Sequence, residues 1–556
     1  MPRRIRSAWK TAAHGMRRMV EAIETAPLSL STFILAFLGI ILVRLFIEGG
    51  TSAYETESLH YMFFEFSHTF LFFLFAFLLF MPIVRIAGAD SWSRAANLLL
   101  FGFLIIWTPP LIDVLVFQGE RFWSFYELDS LRGLMSQFFT FFDDTPNMGI
   151  TYGVRVEVAL MTAALGGYAF FRSRNLLKAL GVALLTYATF FVLGTFPSYI
   201  AILMLGMEKG FFAVTEFDVV GTMLAPSKLF GQDIVDPRMS LGSRLSIVYA
   251  ILSALGVGAL LYRMSKGTFL ALLWNSRFPQ VVWHGGLLFL GGALAMIFAG
   301  ARPDFHFFEV LSILLLVMAI ESAWFASVVG NDLADRAIDE ATNPKRPLPT
   351  GDIPPRRYAE IGWAFFAVSL LFSAIVSFKA MLLILAYHGL AWVYSMPPLR
   401  LKRIPILATV LAALAGMAVL ITGYSVLAPE ADLGAVPFPI LAFLFVAYAV
   451  TLPLKDFKDI AGDRADGVHT IPVILGEEKA RLVVGTALFL CYAASPVVFR
   501  EADLIVPAVL FGGLAFWSIN RAQRSEKAWG TFRTLSGWNM LFATLYGISV
   551  AAILLR

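Results

Sequence analysis

The sequence predicts an all-α integral membrane protein built as two helical bundles, about six N-terminal spans followed by nine more. Three observations carry that fold class. Of 556 residues, 58% are hydrophobic and only 15% are charged, against about 25% in a soluble domain. Apolar runs of roughly 20 residues, the length that crosses a bilayer as a helix, recur about fifteen times. The loops between them alternate between basic and base-poor, as spans that reverse direction require. Helix is the only state open to a span, because lipid offers its backbone no hydrogen-bond partners.

The elements follow in order. Residues 1–27 precede any span, and Ile5, Trp9, Ala12, Met16, Met19 and Ile23 recur there at helical spacing among Arg and Lys. This is the pattern of a basic amphipathic helix on an anionic membrane face, although a transit peptide shares part of it. Six spans are expected near 28–47, 62–84, 95–117, 154–171, 178–205 and 244–263, forming a domain over 28–263. A polar stretch, MSKGTFLALLWNSRF at 264–278, reads as the junction. Nine spans follow near 279–300, 306–330, 358–377, 380–396, 405–427, 436–454, 480–499, 504–520 and 534–554.

Lys345, Arg346, Arg400, Lys402, Lys455 and Arg464 fall in loops of one set, whereas the opposite loops of the second half offer little beyond Arg302, Lys379 and Arg500. With a cytoplasmic N-terminus, residues 331–339 and 455–463 then share the cytoplasmic side of a cell (inner) membrane, and loop 118–153 lies opposite. The net charge of +4 reports this topology rather than nucleic-acid binding, and none is expected. The single cysteine, Cys491, excludes a disulfide framework.

Chemistry concentrates where two spans end. In NDLADRAID, Asp332, Asp335 and Asp339 have spacing 0, +3, +7 and follow Asn331. On a continuous helix they share one stripe, less than about a quarter of the circumference wide. Asp456, Asp459 and Asp463 repeat the same spacing. One such cluster reads equally well as a solvated span end. Two on one membrane face read as facing sets of oxygen ligands. Hard oxygen donors suit magnesium, which shares its shell with substrate phosphates. Lys345, Arg346, Lys402 and Lys455 then stand as diphosphate partners.

These residues carry a resemblance. The second half, from about 278 to 556, resembles the UbiA-type membrane prenyltransferases. Their NDxxDxxxD signature matches Asn331, Asp332, Asp335 and Asp339, and their RPLPSG loop is similar to NPKRPLPTG at 343–351. YSMPPLRLKR at 394–403 is similar to their YSxPPxxLK segment. DxxDxxGD matches Asp456, Asp459, Gly462 and Asp463, with Ile471 departing from the usual Leu of the following TLP.

The resemblance implies a nine-span bundle that binds an isoprenyl diphosphate on magnesium and passes the isoprenyl group to a hydrophobic or amphipathic acceptor. Its family accepts aromatic, tetrapyrrole or lipid-precursor acceptors. Asn331, Asp335, Asp459 and Tyr394 are the implied catalytic residues, and Arg346, Lys402 and Lys455 hold the diphosphate. Metal ligands come from Asp332, Asp335, Asp339, Asp456, Asp459 and Asp463. Tyr394 and Tyr448 offer aromatic faces to an allylic cation.

The first half, residues 1–263, carries no motif of a family recognised from the sequence. Glu65, His68, Asp113 and a candidate Arg155–Glu157 pair lie within its spans, and Glu321 and His284 lie within spans of the second half. Loop 118–153 brings Glu120, Asp143 and Asp144, open to reading as a second active site, a lipid entrance or packing. Two functions compete for the whole chain. One is a prenyltransferase with an accessory bundle. The other is a lipid or substrate transporter, or a scaffold, with a fused silent prenyltransferase domain. Intact carboxylate clusters favour the enzyme.

Overall fold

The computed structural model describes the chain except residues 1–13, 16, 52–58, 117–125, 143–148, 230–231, 304, 459, 466 and 522–534. Fifteen helical segments among the described residues are long and apolar enough to cross a membrane, six up to Met264 and nine from Phe278. The chain is a multi-pass membrane protein. It divides into two compact units, Met1–Ser227 with Asp233–Leu260, and Lys228–Gln232 with Leu261–Arg556.

The first unit holds α1 (Leu30–Thr51), α2 (Leu59–Ala87), α3 (Trp92–Gly102), α4 (Thr108–Val116), α5 (Leu131–Thr140), α6 (Tyr152–Ser173), α7 (Leu176–Gly194), α8 (Phe196–Lys209) and α9 (Glu216–Leu224). Two three-residue strands, β1 (Ser227–Leu229) and β2 (Gln232–Ile234), precede α10 (Pro237–Met264). The core is aromatic: Phe37, Phe77, Phe80 and Phe103 are buried together, with Phe77 and Phe103 edge to face at 5.3 Å. Residues 17–25 are helical, within the amphipathic segment expected at the N-terminus.

Three expectations shift. The span expected at 178–205 is two helices, because Thr195 leaves helical geometry at φ −112° and ψ 11°, and Pro197 opens α8. Arg155 does not pair with Glu157. It donates to the carbonyls of Ile150 and Phe142 at 3.2 and 3.1 Å, since residues two apart on a helix do not face each other. The expected loop at 118–153 contains α5, while its Glu120, Asp143 and Asp144 lie outside the described residues.

The chain passes from one unit to the other within α10, between Leu260 and Leu261, and most of 264–278 is a further helix, α11 (Lys266–Asn275). The second unit continues with α12 (Phe278–Phe298), α13 (Phe307–Ala334), α14 (Arg336–Thr342), α15 (Pro355–Val376), α16 (Phe378–Ser395), α17 (Pro405–Leu427), α18 (Phe438–Thr451), α19 (Ile460–Ala465), α20 (Ile471–Leu475), α21 (Glu477–Phe499), α22 (Ile505–Arg521) and α23 (Leu535–Leu554).

Helices α12 and α17 touch backbone to backbone. A Cβ on Gly291 would lie 1.8 Å from the Leu420 carbonyl oxygen, and one on Gly423 would lie 2.0 Å from that of Leu288. Small residues let helices approach this closely where lipid gives no hydrophobic drive. Around this seam Leu294, Ala295, Leu420 and Tyr424 form a buried cluster.

Candidate active site

The first carboxylate cluster sits where α13 breaks. Asp335 leaves helical geometry at φ −101° and ψ 9°, its N–H still donating to the Asn331 carbonyl at 2.9 Å, and α14 restarts at Arg336. The break parts the stripe that a continuous helix would present. Asn331, Asp335 and Asp339 line a cavity of about 610 Å³.

Asp332, expected among the metal ligands, is not part of that lining. It is 1% exposed, and its carboxylate accepts from Arg277 at 2.8 Å, Arg346 at 3.1 Å, Asn275 at 2.8 Å and the Tyr358 hydroxyl at 3.1 Å. Four donors saturate a carboxylate, so Asp332 positions the arginines beside the cavity.

The rest of the first wall is an alternation of charges. Lys402 Nζ donates to Asn331 Oδ1 at 3.1 Å and ion-pairs with Asp335. Arg400 reaches Asp335 at 2.6 Å, and the Ser395 hydroxyl donates to Asn331 at 3.1 Å. Arg346 bridges Asp332 and Asp339. Burial pushes the Asp339 carboxyl above its ordinary range, against the pull of Arg346. Lys345, expected beside Arg346 as a diphosphate partner, is exposed and is not part of the lining.

Two arginines here were not read from the sequence. Arg277 and Arg400 both adopt left-handed backbone, with φ of 55° and 40°. Non-glycine residues pay for that conformation, and such strain collects at functional sites. Arg400 lies within the YSMPPLRLKR segment, whereas the signal for Arg277 was its place at the end of an apolar run.

The facing wall is the Leu452–Lys458 turn and α19. Lys455, Asp456, Gly462 and Asp463 line the same cavity. Thr470 donates to Asp463 at 3.3 Å. Lys455 Nζ lies 3.4 Å from the Tyr394 hydroxyl and 5.5 Å from the centre of its ring. Asp459 lies outside the described residues.

Away from the charges the lining is aromatic and apolar. Trp283 stacks on Tyr448 at 5.7 Å, and a Cβ on Gly416 would fall 2.1 Å from the Tyr448 ring, so glycine makes the room for that tyrosine. His284 packs on Trp324 at 4.8 Å. Its Nδ1 lies 2.8 Å from the Gln280 carbonyl, which only accepts, so Nδ1 carries the proton and Nε2 keeps a lone pair. Glu321 is not on the cavity wall, and neither of its buried carboxylate oxygens has a hydrogen-bond partner among the described residues.

The donor set fits a hard divalent cation. All candidate ligands are amide or carboxylate oxygens. Among the described residues no three His, Cys, Asp or Glu side chains converge into a closed metal cage. Magnesium rarely uses one, since it usually takes one or two carboxylates and completes its shell with water and substrate phosphate.

The model of the UbiA prenyltransferase family matches residues 288–544, and no family model matches the N-terminal half. The digeranylgeranylglyceryl phosphate synthase of Methanoregula boonei is 32% identical over 206 residues, 37% of this chain and 68% of that protein. The enzyme of the same name from Natronomonas pharaonis is 28% identical over 261 residues, 45% of this chain and 87% of that protein. The bacteriochlorophyll synthase 33 kDa chain of Rhodobacter capsulatus is 33% identical over 171 residues, 30% of this chain and 56% of that protein. Among solved structures, a UbiA homolog from Archaeoglobus fulgidus bound to DMAPP and Mg2+ aligns with a TM-score of 0.37 at 22% identity, over 50% of this chain and 99% of that one.

Proposed function

Since the chain belongs to the UbiA prenyltransferase family, we propose that it transfers an isoprenyl group from a polyprenyl diphosphate to an aromatic, tetrapyrrole or lipid-precursor acceptor, with magnesium, and releases diphosphate. One observation carries this reading. A single cavity is lined both by acids and bases from two walls and by aromatic rings. A diphosphate needs the first environment and an isoprenyl chain needs the second.

The nine-span domain, about 278–556, carries the chemistry. Asn331, Asp335 and Asp339 on one wall and Asp456 and Asp463 on the other would hold magnesium, joined by Asp459 from the same sequence motif. When bound, the metal neutralises charge on the leaving diphosphate. Arg346, Lys402 and Lys455 bind the diphosphate oxygens. The C–O bond to the allylic carbon breaks, and its electron pair leaves with the diphosphate, whose growing charge these cations stabilise. The allylic cation lies against the faces of Tyr394, Tyr448 and Trp283. The acceptor's nucleophile bonds to that carbon and gives up its proton, and His284 Nε2 is the acceptor placed for it.

The basic loops support a mouth on the cytoplasmic face of the cell membrane, where a charged donor arrives. The aromatic lining lies within the spans, so the product leaves into the bilayer. A silent transport domain has no use for acids and bases arranged this way.

The test uses full-length protein in detergent, allylic diphosphates of increasing length, and phenolic, tetrapyrrole and glyceryl phosphate acceptors. Magnesium-dependent diphosphate release with one acceptor is expected. No release with any pair, from folded protein, overturns the reading.

A further inference from the structure

The first unit has its own cavity, of about 170 Å³. Helix α1 gives it Arg44 and Glu48, α2 gives Glu65 and His68, α6 gives Glu157 and α10 gives Arg238. Tyr126 closes one side, with its hydroxyl 2.9 Å from His68 Nε2 and 3.1 Å from the Tyr249 hydroxyl. Much of the remaining wall is aromatic, including Phe72, Phe73, Phe103, Phe142 and Phe190.

Among the described residues of the lining, three glutamates face two arginines. Arg44 already pairs with Glu48 at 2.9 Å, one turn along α1. Asp113 lies outside the lining, and its carboxylate accepts from the Gly153 N–H at 2.6 Å. Glu157 is 8% exposed, lines the cavity, and has no hydrogen bond from any described residue. A carboxylate in that position is costly within a membrane unless a partner meets it, and by default it marks a ligand site.

We infer that this cavity binds a primary ammonium group, with Glu157 and Glu65 as its acceptors and the ring faces around it. A buried carboxylate that accepts no hydrogen bond from any described residue calls for an N–H group, and charge-assisted hydrogen bonds favour a cationic one. Aromatic faces favour a diffuse organic cation over a bare metal ion. The volume is below the roughly 300 Å³ of an ordinary ligand pocket, so the ligand is a few heavy atoms. A free small amine and the amine headgroup of a lipid share this chemistry.

The experiment uses full-length protein in dodecylmaltoside. Ethylammonium chloride, tetramethylammonium chloride and sodium chloride are compared at equal ionic strength, by thermal unfolding and calorimetry. A saturable rise in Tm with ethylammonium alone is expected. Glu157→Gln and Glu65→Gln should each weaken it about tenfold or more, with magnesium-dependent diphosphate release unchanged. Glu157→Asp keeps the charge and should retain part of the binding, which guards against a misfolded glutamine variant.

An equal response to sodium chloride overturns the proposal, as does unchanged affinity in Glu157→Gln. So does the lack of any saturable response, above all if Glu157→Gln is more stable than wild type, because the carboxyl is then simply protonated. Nanodiscs of phosphatidylethanolamine or phosphatidylcholine decide the source. Loss of the ethylammonium response in the former alone assigns the site to a lipid headgroup, and its persistence in both assigns it to a free amine.

Discussion

The two cavities treat buried carboxylates in different ways. In the second, every described carboxylate on the first cavity wall meets a cation: Asp335 meets Arg400 and Lys402, and Asp339 meets Arg346. In the first, Glu157 accepts no hydrogen bond from any described residue. The paired set sits at span ends, and the unpaired one sits inside a span. The difference teaches that how a cavity's charges are paired, more than its size, points to what it would bind.

The sharpest way to break this comparison is Asp335→Ala or Asp459→Ala. Each should lower kcat/KM about 1,000-fold or more while membrane insertion and folding persist. Wild-type turnover by either variant at limiting magnesium defeats the two-wall metal site. Lys402→Ala should cost about 100-fold, because it removes a charge from the diphosphate site. An effect confined to Tm, with unchanged kinetics, would make Lys402 a structural partner of Asp335 and nothing more.

Removing the first bundle should do less. Expression from about residue 267 should keep diphosphate release within about threefold, since the second unit has its own core. A folded but inactive truncation would mean that the first bundle supplies part of the acceptor pocket, and Glu157→Gln in the full chain should then lose activity too. The smallest effect sharpens the topology. Single cysteines at Ser130 and Thr342, with Cys491 removed, should label from opposite sides of the membrane and leave turnover intact. Labelling from one side defeats the six-plus-nine arrangement.

Much of this was legible in the sequence, for physical reasons. Fifteen spans were readable because lipid demands long apolar helices, and the model has fifteen among its described residues. The two carboxylate sets were readable because their spacing repeats. What periodicity could not carry was the break at Asp335, or the four donors that engage Asp332 away from the cavity lining. Arg277 and Arg400 were missed because left-handed backbone leaves no pattern in composition. Hydropathy does not mark the change from one compact unit to the other, which falls within one continuous helix, α10, between Leu260 and Leu261.

The glycine seam between α12 and α17 has a consequence for selectivity. Ala408, Ala412, Ala415 and Gly416 of α17 line the cavity, and the same helix is held backbone to backbone at Gly423. A helix pinned in this way cannot retreat from added bulk. A larger side chain at Ala412 or Ala415 therefore subtracts from the chamber instead of displacing its wall. The pinned helix works as a gauge, and the longest isoprenyl chain the enzyme accepts should shorten stepwise as these alanines are enlarged.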